Sequence, residues 1–282
     1  MKNTILFVSL LFACIFSTPI VFSQGIYFSG NLGYAGAMAA RNMSEFIMYN
    51  YSYDIDSDIS TYEQVKISLG KGINLGGTLG FQFSSNLGVE VGLSYLYGVK
   101  YTAQGNLYSN TVDYTTDYTI SSKMFRVNTS VVVSAGREKL NPYAKAGMIV
   151  SRGKVIFELD DFADFTSGND YESHLVQQFD GGFAFGFTAG FGVEFKVAEK
   201  IAFFGELNLI SSSYSPKKAE ITLLEDDGED LLPDMEVSEL EVEFVDSYET
   251  DGDWPDNEPS KQLKQYFPLS SFGPNLGLKI SF

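Results

Sequence analysis

The sequence predicts an all-β chain folded as an eight-stranded antiparallel up-and-down barrel that spans a membrane. Three observations carry this. Eight segments alternate with a period of two, the face opposite the apolar one is built from Gly, Ala, Ser, Thr and Asn, and the connections alternate long and short. Composition agrees: of 282 residues, 24 are Phe, 17 Tyr and 27 Gly, and 44% are hydrophobic, too many for a disordered chain. One Cys and one His exclude a disulfide scaffold and a His/Cys zinc cluster. A formal charge of −17 opposes binding to nucleic acid, which is itself polyanionic.

Residues 1–23 read as a signal peptide. Lys2 supplies the basic charge, the run from Ile5 to Phe16 is almost wholly apolar, and Val21-Phe22-Ser23 offers a cleavage site before Gln24. The alternative is an uncleaved helix, since the apolar stretch nears the ~20 residues a span needs. Pro19 and the polar Ser23-Gln24 exit favour cleavage. Cleavage removes Cys14, so residues 24–282, read as one barrel domain, hold no disulfide.

The eight strands follow in order. The first sets Ile26, Phe28, Gly30, Leu32 and Tyr34 against Tyr27, Ser29, Asn31 and Gly33. The second sets Ile73, Leu75, Leu79 and Phe81 against Asn74, Gly76, Thr78 and Gly80. In the third, Leu87, Val89, Val91, Leu93, Tyr95 and Tyr97 oppose Gly88, Glu90, Gly92 and Ser94. The fourth carries Phe125, Val127, Val131 and Val133 against Arg126, Asn128 and Ser130. The fifth is weaker, with Ala144, Ala146, Met148 and Val150 against Tyr143, Lys145 and Gly147. The sixth is the clearest: Phe183, Phe185, Phe187, Phe191, Val193 and Phe195 alternate with Ala184, Gly186, Thr188, Gly190, Gly192, Glu194 and Lys196. The seventh has Ile201, Phe203, Leu207 and Leu209 against Ala202, Glu206 and Asn208, and the eighth Phe272, Leu276, Leu278, Ile280 and Phe282 against Asn275, Gly277, Lys279 and Ser281.

Between them lie connections of about 37–71, 84–86, 103–118, 135–141, 152–181, 198–200 and 211–269. Short turns at one end and long loops at the other are the arrangement of an outer-membrane barrel, with periplasmic turns and extracellular loops. A soluble barrel would point its apolar face inward and dress the other face with Lys and Glu. Here that other face is small and glycine-rich, which suits a narrow interior and not a solvated one. The apolar face is therefore assigned to lipid. Tyr34, Tyr95, Tyr97 and Tyr101 near strand ends read as interfacial girdle residues.

Charges on the inward face need partners, because an isolated charge in a narrow interior is costly. Glu90, Glu194 and Glu206 share it with Arg126, Lys145, Lys196 and Lys279, and the mixed signs predict an internal ion-pair network. It would act as a structural plug, or in the alternative as a gate.

The leader, the eight strands, the strand start Asn141-Pro142-Tyr143-Ala144-Lys145-Ala146-Gly147 and the closing Leu276-Gly277-Leu278-Lys279-Ile280-Ser281-Phe282 together resemble small outer-membrane β-barrel proteins, of the PorT-like and OmpA-like barrel-domain type common in Bacteroidetes. The resemblance covers about 25–282 and implies the outer membrane of a Gram-negative bacterium. The alternating Leu276, Leu278, Ile280 and Phe282 are similar to the C-terminal signal read by the barrel-assembly machinery. The resemblance departs from full-length OmpA in that no peptidoglycan-binding domain is read after the barrel, so a cell-wall tether is not expected from it.

The last loop is the most distinctive feature. Seventeen acids and no bases lie between Glu220 and Glu258, leaving 19 acids for 19 bases in the rest of the chain. A solvated acidic loop is the plain expectation. A basic protein or cationic ligand is the partner its charge would attract, and Asp251, Asp253, Asp256 and Glu258 have oxygens at spacings suited to Ca²⁺ without matching an EF-hand. Within it, 235–244 alternates as a hairpin would. Catalysis has little support: His174 beside Ser173 lacks a third orienting group, and no cofactor is implied. The sequence thus predicts a non-enzymatic outer-membrane protein with a structural or surface-interaction role. A narrow pore and a soluble periplasmic ligand-binding barrel are the alternatives.

Overall fold

A computed structural model describes residues 25–38, 48–166, 168, 170–249 and 255–282. The signal-peptide assignment falls outside them. Eight strands form a closed ring: β1 (Ile26–Ala37), β2 (Gly72–Gln82), β3 (Leu87–Gly98), β4 (Val112–Ser134), β5 (Leu140–Phe165), β6 (Phe183–Ala198), β7 (Ile201–Ser215) and β8 (Ser271–Ser281). Each pairs antiparallel with the next, and β8 returns to β1 in a register running from Tyr27↔Ser281 to Ala37↔Ser271. Closure leaves the ring no free edge, so its backbone donors and acceptors are satisfied within the sheet.

The apolar residues point outward. Phe185, Phe187 and Leu276 are each 69% exposed, and Leu75 is 63% exposed. A soluble barrel with an apolar interior is thereby excluded, because exposing this belt to water would forfeit the burial that drives folding. The inward face uses small residues because large neighbours occupy the space. A Cβ at Gly80 would lie within the Tyr27 ring, and one at Gly192 would meet the Tyr143 ring and the Gly205 carbonyl.

The expected long loops are mostly strand. β4 and β5 stay paired far beyond the apolar belt, from Ser134↔Tyr143 to Val112↔Phe165. Strand Tyr101–Tyr108 pairs with β4, and Tyr171–Asp180 pairs with β5. Lys218–Asp226 then adds to Tyr171–Asp180, Glu241–Val245 adds to Lys218–Asp226, and Ser260–Leu263 joins in parallel. On the other side, Tyr49–Asp54 lies parallel to Tyr101–Tyr108 and pairs with Ile59–Gln64. The acidic segment, expected as a solvated loop over 211–269, is therefore folded wherever it is described up to Val245, apart from its turns. Period two holds in Glu241–Val245, where Val242 and Phe244 are buried while Glu243 is exposed, but the stretch 235–244 is not the expected hairpin, since Val237–Leu240 is a short helical turn that precedes a single strand. Strand pairing satisfies its backbone, and the buried alternate residues offset the cost of ordering it.

This extension closes the loop end of the ring with an apolar core. Leu96, Ile120, Met124, Val155, Ala184 and Tyr214, inward residues of five ring strands, are completely buried in one cluster. Ile67 and Leu69 from the first connection join it, as do Phe267 and Leu269 from the last. The Leu69 N–H donates to the Pro268 carbonyl at 2.8 Å, and Ser122 Oγ donates to the Leu69 carbonyl at 2.6 Å. Phe179 packs against Phe267 and Phe244, with ring centroids 5.2 and 6.2 Å apart. Tyr101, expected at the lipid interface, instead turns toward this core and donates its hydroxyl to the Ser68 carbonyl at 3.0 Å. Its strand belongs to the extension above the belt.

Candidate functional site

The site is the interior of the ring below that core. Strand parity sends every second residue of each strand inward, so the charged side chains of five different strands converge there. Glu206 of β7 is the hub, with its side chain 2% exposed. Its Oε2 receives Lys145 Nζ at 2.7 Å and the Tyr143 hydroxyl at 2.9 Å. Its Oε1 accepts from Asn208 Nδ2 at 3.3 Å and Asn275 Nδ2 at 3.4 Å. Lys145 also lies 3.8 Å from Glu90 Oε2, whose Oε1 accepts the Tyr27 hydroxyl at 2.7 Å. Nearer the turn end, Lys279 Nζ pairs with Glu194 at 2.7 Å and sits 3.7 Å over the Tyr27 ring. Lys145, Glu90, Glu206, Lys279 and Glu194 thus form one interlinked cluster around a cavity of about 30 Å³. The arrangement ties β1, β3, β5, β6, β7 and β8 together across the interior. Pairing of this kind offsets the cost of holding charged groups in low dielectric.

Two residues expected in the network stand outside it. Lys196 is exposed at the turn-end rim. Arg126 is 1% exposed, and its Nε, Nη1 and Nη2 find no hydrogen-bond acceptor among the described residues. The register explains why. Arg126 lies opposite Ser94 and Ser151, whereas Glu90 of β3 lies opposite Ser130, four residues along β4, or roughly 13 Å at the usual rise. Strand parity puts Arg126 on the correct face at the wrong height. A buried cation without a carboxylate is a cost and not a support. Arg126→Met, which keeps the volume, is expected to leave the unfolding midpoint in urea unchanged or higher. A drop comparable to loss of Glu206 would show that Arg126 holds the ring together.

Tyr27, Tyr143, Asn208 and Asn275 are partners that charge counting missed. Their signal was present, since all four lie on the small-residue face, where a large polar side chain has room only if it bonds across the interior.

The other sequence candidates are dispersed. Leu276, Leu278, Ile280 and Phe282 all lie on the lipid-facing side of β8 or at its end, and the Phe282 N–H donates to the Ile26 carbonyl at 3.0 Å. Asp251 and Asp253 lie outside the described residues. The backbone carbonyl of Asp256 accepts the Val237 and Ser238 N–H groups, and its carboxylate raises the Glu236 carboxyl above its usual range. Among the described residues no cluster of three metal-ligating side chains forms. His174 and Ser173 are successive residues of one strand, so their side chains leave opposite faces. His174 Nδ1 meets Asp160, while Ser173 is in register with Asp161. The pair is not a serine–histidine dyad. On the extension, Asp180 and then Glu220 hold the Lys218 ammonium above its usual range.

A closed antiparallel ring with a lipid-suited outside and a bonded polar inside defines an integral membrane protein of the β class. The chain belongs to the outer membrane protein beta-barrel domain family, whose model matches residues 9–231, and its place is the cell outer membrane. It is similar in structure to Neisserial surface protein A, at a TM-score of 0.37 and 11% identity, covering 92% of this chain and 98% of that one. It is similar to Ail, the attachment invasion locus protein of Yersinia pestis, at 0.31 and 13%, covering 92% and 99%. A third likeness is to CarO2 of Acinetobacter baumannii, at 0.33 and 14%, covering 92% and 100%. No curated protein matches the sequence.

Proposed function

We propose that the mature chain, freed of residues 1–23, is an eight-stranded outer-membrane barrel of the PorT-like or OmpA-like type with a structural or surface-interaction role. Its loop end faces outward and its turn end faces the periplasm. One observation carries this reading: the interior is closed at the loop end by a fully buried apolar core, while the same end displays an acidic sheet. A pore needs a continuous wet path, and such a core denies one. The acidic outer sheet attracts a basic protein or cationic ligand, and Leu276, Leu278, Ile280 and Phe282 are the face offered to the barrel-assembly machinery.

Purified protein in planar bilayers is expected to show no stable conductance. Vesicles carrying it are expected to bind a short polylysine probe in a salt-sensitive manner. That binding should fall several-fold when the exposed Glu229, Glu239 and Glu243 are changed to Gln. Stable openings would move the assignment to a pore. Polylysine binding unaffected by the three changes would remove the cationic partner.

A further inference from the structure

The turn end of the ring opens into a cavity of about 310 Å³, separate from the acidic end and unused by the reading above. Its rim carries Arg137 and Lys139 from the β4–β5 turn, Lys196 from the end of strand β6 and Lys200 from the β6–β7 turn. The two turns are neighbours because β5 pairs with β6, and the Lys196 N–H donates to the Lys139 carbonyl at 3.1 Å. Among the described residues none of these four cations has a carboxylate within ion-pair distance, although Glu138 and Glu199 also line the cavity. The floor is already neutral, because Lys279 is taken by Glu194.

We infer that this vestibule binds a phosphate-class oxyanion. Four unpaired cations against two acids, converging on a concave mouth with low-dielectric walls, focus a positive potential. The cavity is at the lower end of ligand-pocket volumes, and its rim is cationic and not apolar, which favours a small anion over a drug-like or lipid-tail ligand. Arg137 offers the planar fork suited to paired oxygens, and the three lysines supply mobile point charges. The net charge of −17 traces to the segment at the opposite end, so an anion is admitted here and repelled there. The shared chemistry fits free phosphate or a phosphomonoester, and equally the headgroup of an inner-leaflet phospholipid.

The test uses the full chain refolded in a phosphate-free zwitterionic detergent, with inorganic phosphate followed by its ³¹P line width. Saturable broadening is expected. The variant Arg137→Gln/Lys139→Gln/Lys200→Gln should weaken it by about tenfold or more, through loss of charge-assisted donors. All three changes are on exposed turns, and retention of the heat-modifiable gel band would show that the variant folds. Absence of saturable broadening in the unaltered protein, or equal broadening in a folded variant, overturns the inference. In nanodiscs of mixed phosphatidylglycerol and phosphatidylcholine, inorganic phosphate binding that survives would identify a soluble ligand. Binding displaced by phosphatidylglycerol would identify a headgroup at the same site.

Discussion

Glu206→Met is expected to lower the stability of the ring by about 3–5 kcal/mol, the usual effect of breaking a buried ion pair by removing one partner. Glu206 gathers Lys145, Tyr143, Asn208 and Asn275, so its loss leaves an ammonium, a phenol and two amides seeking acceptors in a cavity of about 30 Å³. Glu90 remains, but at 3.8 Å it is a poor substitute for the 2.7 Å contact. The measurement is urea unfolding of vesicle-reconstituted protein, read as the fraction of heat-modifiable band. The double variant Glu206→Met/Lys145→Met should recover part of the loss, because it removes the ammonium left without its close partner, while Glu90 gives up its 3.8 Å contact to Lys145 and keeps the Tyr27 hydroxyl. A single variant as stable as the parent would mean that water solvates the interior freely. A double variant no better than the single would mean that Tyr143 and the two amides, and not the ion pair, are the principal support.

Phe179→Ala is expected to cost the loop end about 3–5 kcal/mol, the range for truncating a buried Phe. Phe179 is 1% exposed and joins Phe244 of the acidic segment to Phe267 of the last connection. Its removal should therefore act locally. Limited proteolysis is expected to cut within 218–249 at a rate that rises with the variant, while β1–β8 within the lipid belt stay protected and the heat-modifiable band persists. Equal protease resistance in both proteins would show that the strand pairing of Lys218–Asp226 with Tyr171–Asp180 holds the segment without the aromatic core. The local character follows from two separate interiors, apolar above and ionic below.

Much of this architecture was legible in the sequence. The alternation of Phe183, Phe185 and Phe187 with Ala184, Gly186 and Thr188 fixed both the strand and its faces, because side chains on a strand leave opposite sides by geometry alone. The same parity placed Glu90, Lys145, Glu194, Glu206 and Lys279 in the interior. The short turns at 84–86 and 198–200 fixed which strands are neighbours, since chain connectivity permits few alternatives. Parity also gave the inward positions of Tyr27 and Tyr143, though not their bonds to Glu90 and Glu206, and the Val242–Phe244 alternation announced a strand within the acidic segment.

Height and partner were decided only by the tertiary structure. Period two states which face a residue occupies but not its level once the sheet is tilted and closed. Lys145 of β5 therefore reaches Glu206 of β7 and Glu90 of β3, while Arg126 of β4, on the same face, meets only Ser94 and Ser151 across the sheet. The stagger that selects these pairs is a property of the closed ring as a whole. The fate of the long connections was hidden for a related reason. Glu241–Val245 is a strand because Lys218–Asp226 and Ser260–Leu263 lie beside it, and its buried Phe244 has a core only because Phe179 and Phe267 arrive from elsewhere in the chain. Local sequence sets the direction in which a side chain points, and the apolar area or counter-charge waiting there is supplied by segments that sequence separation keeps apart until the ring has closed.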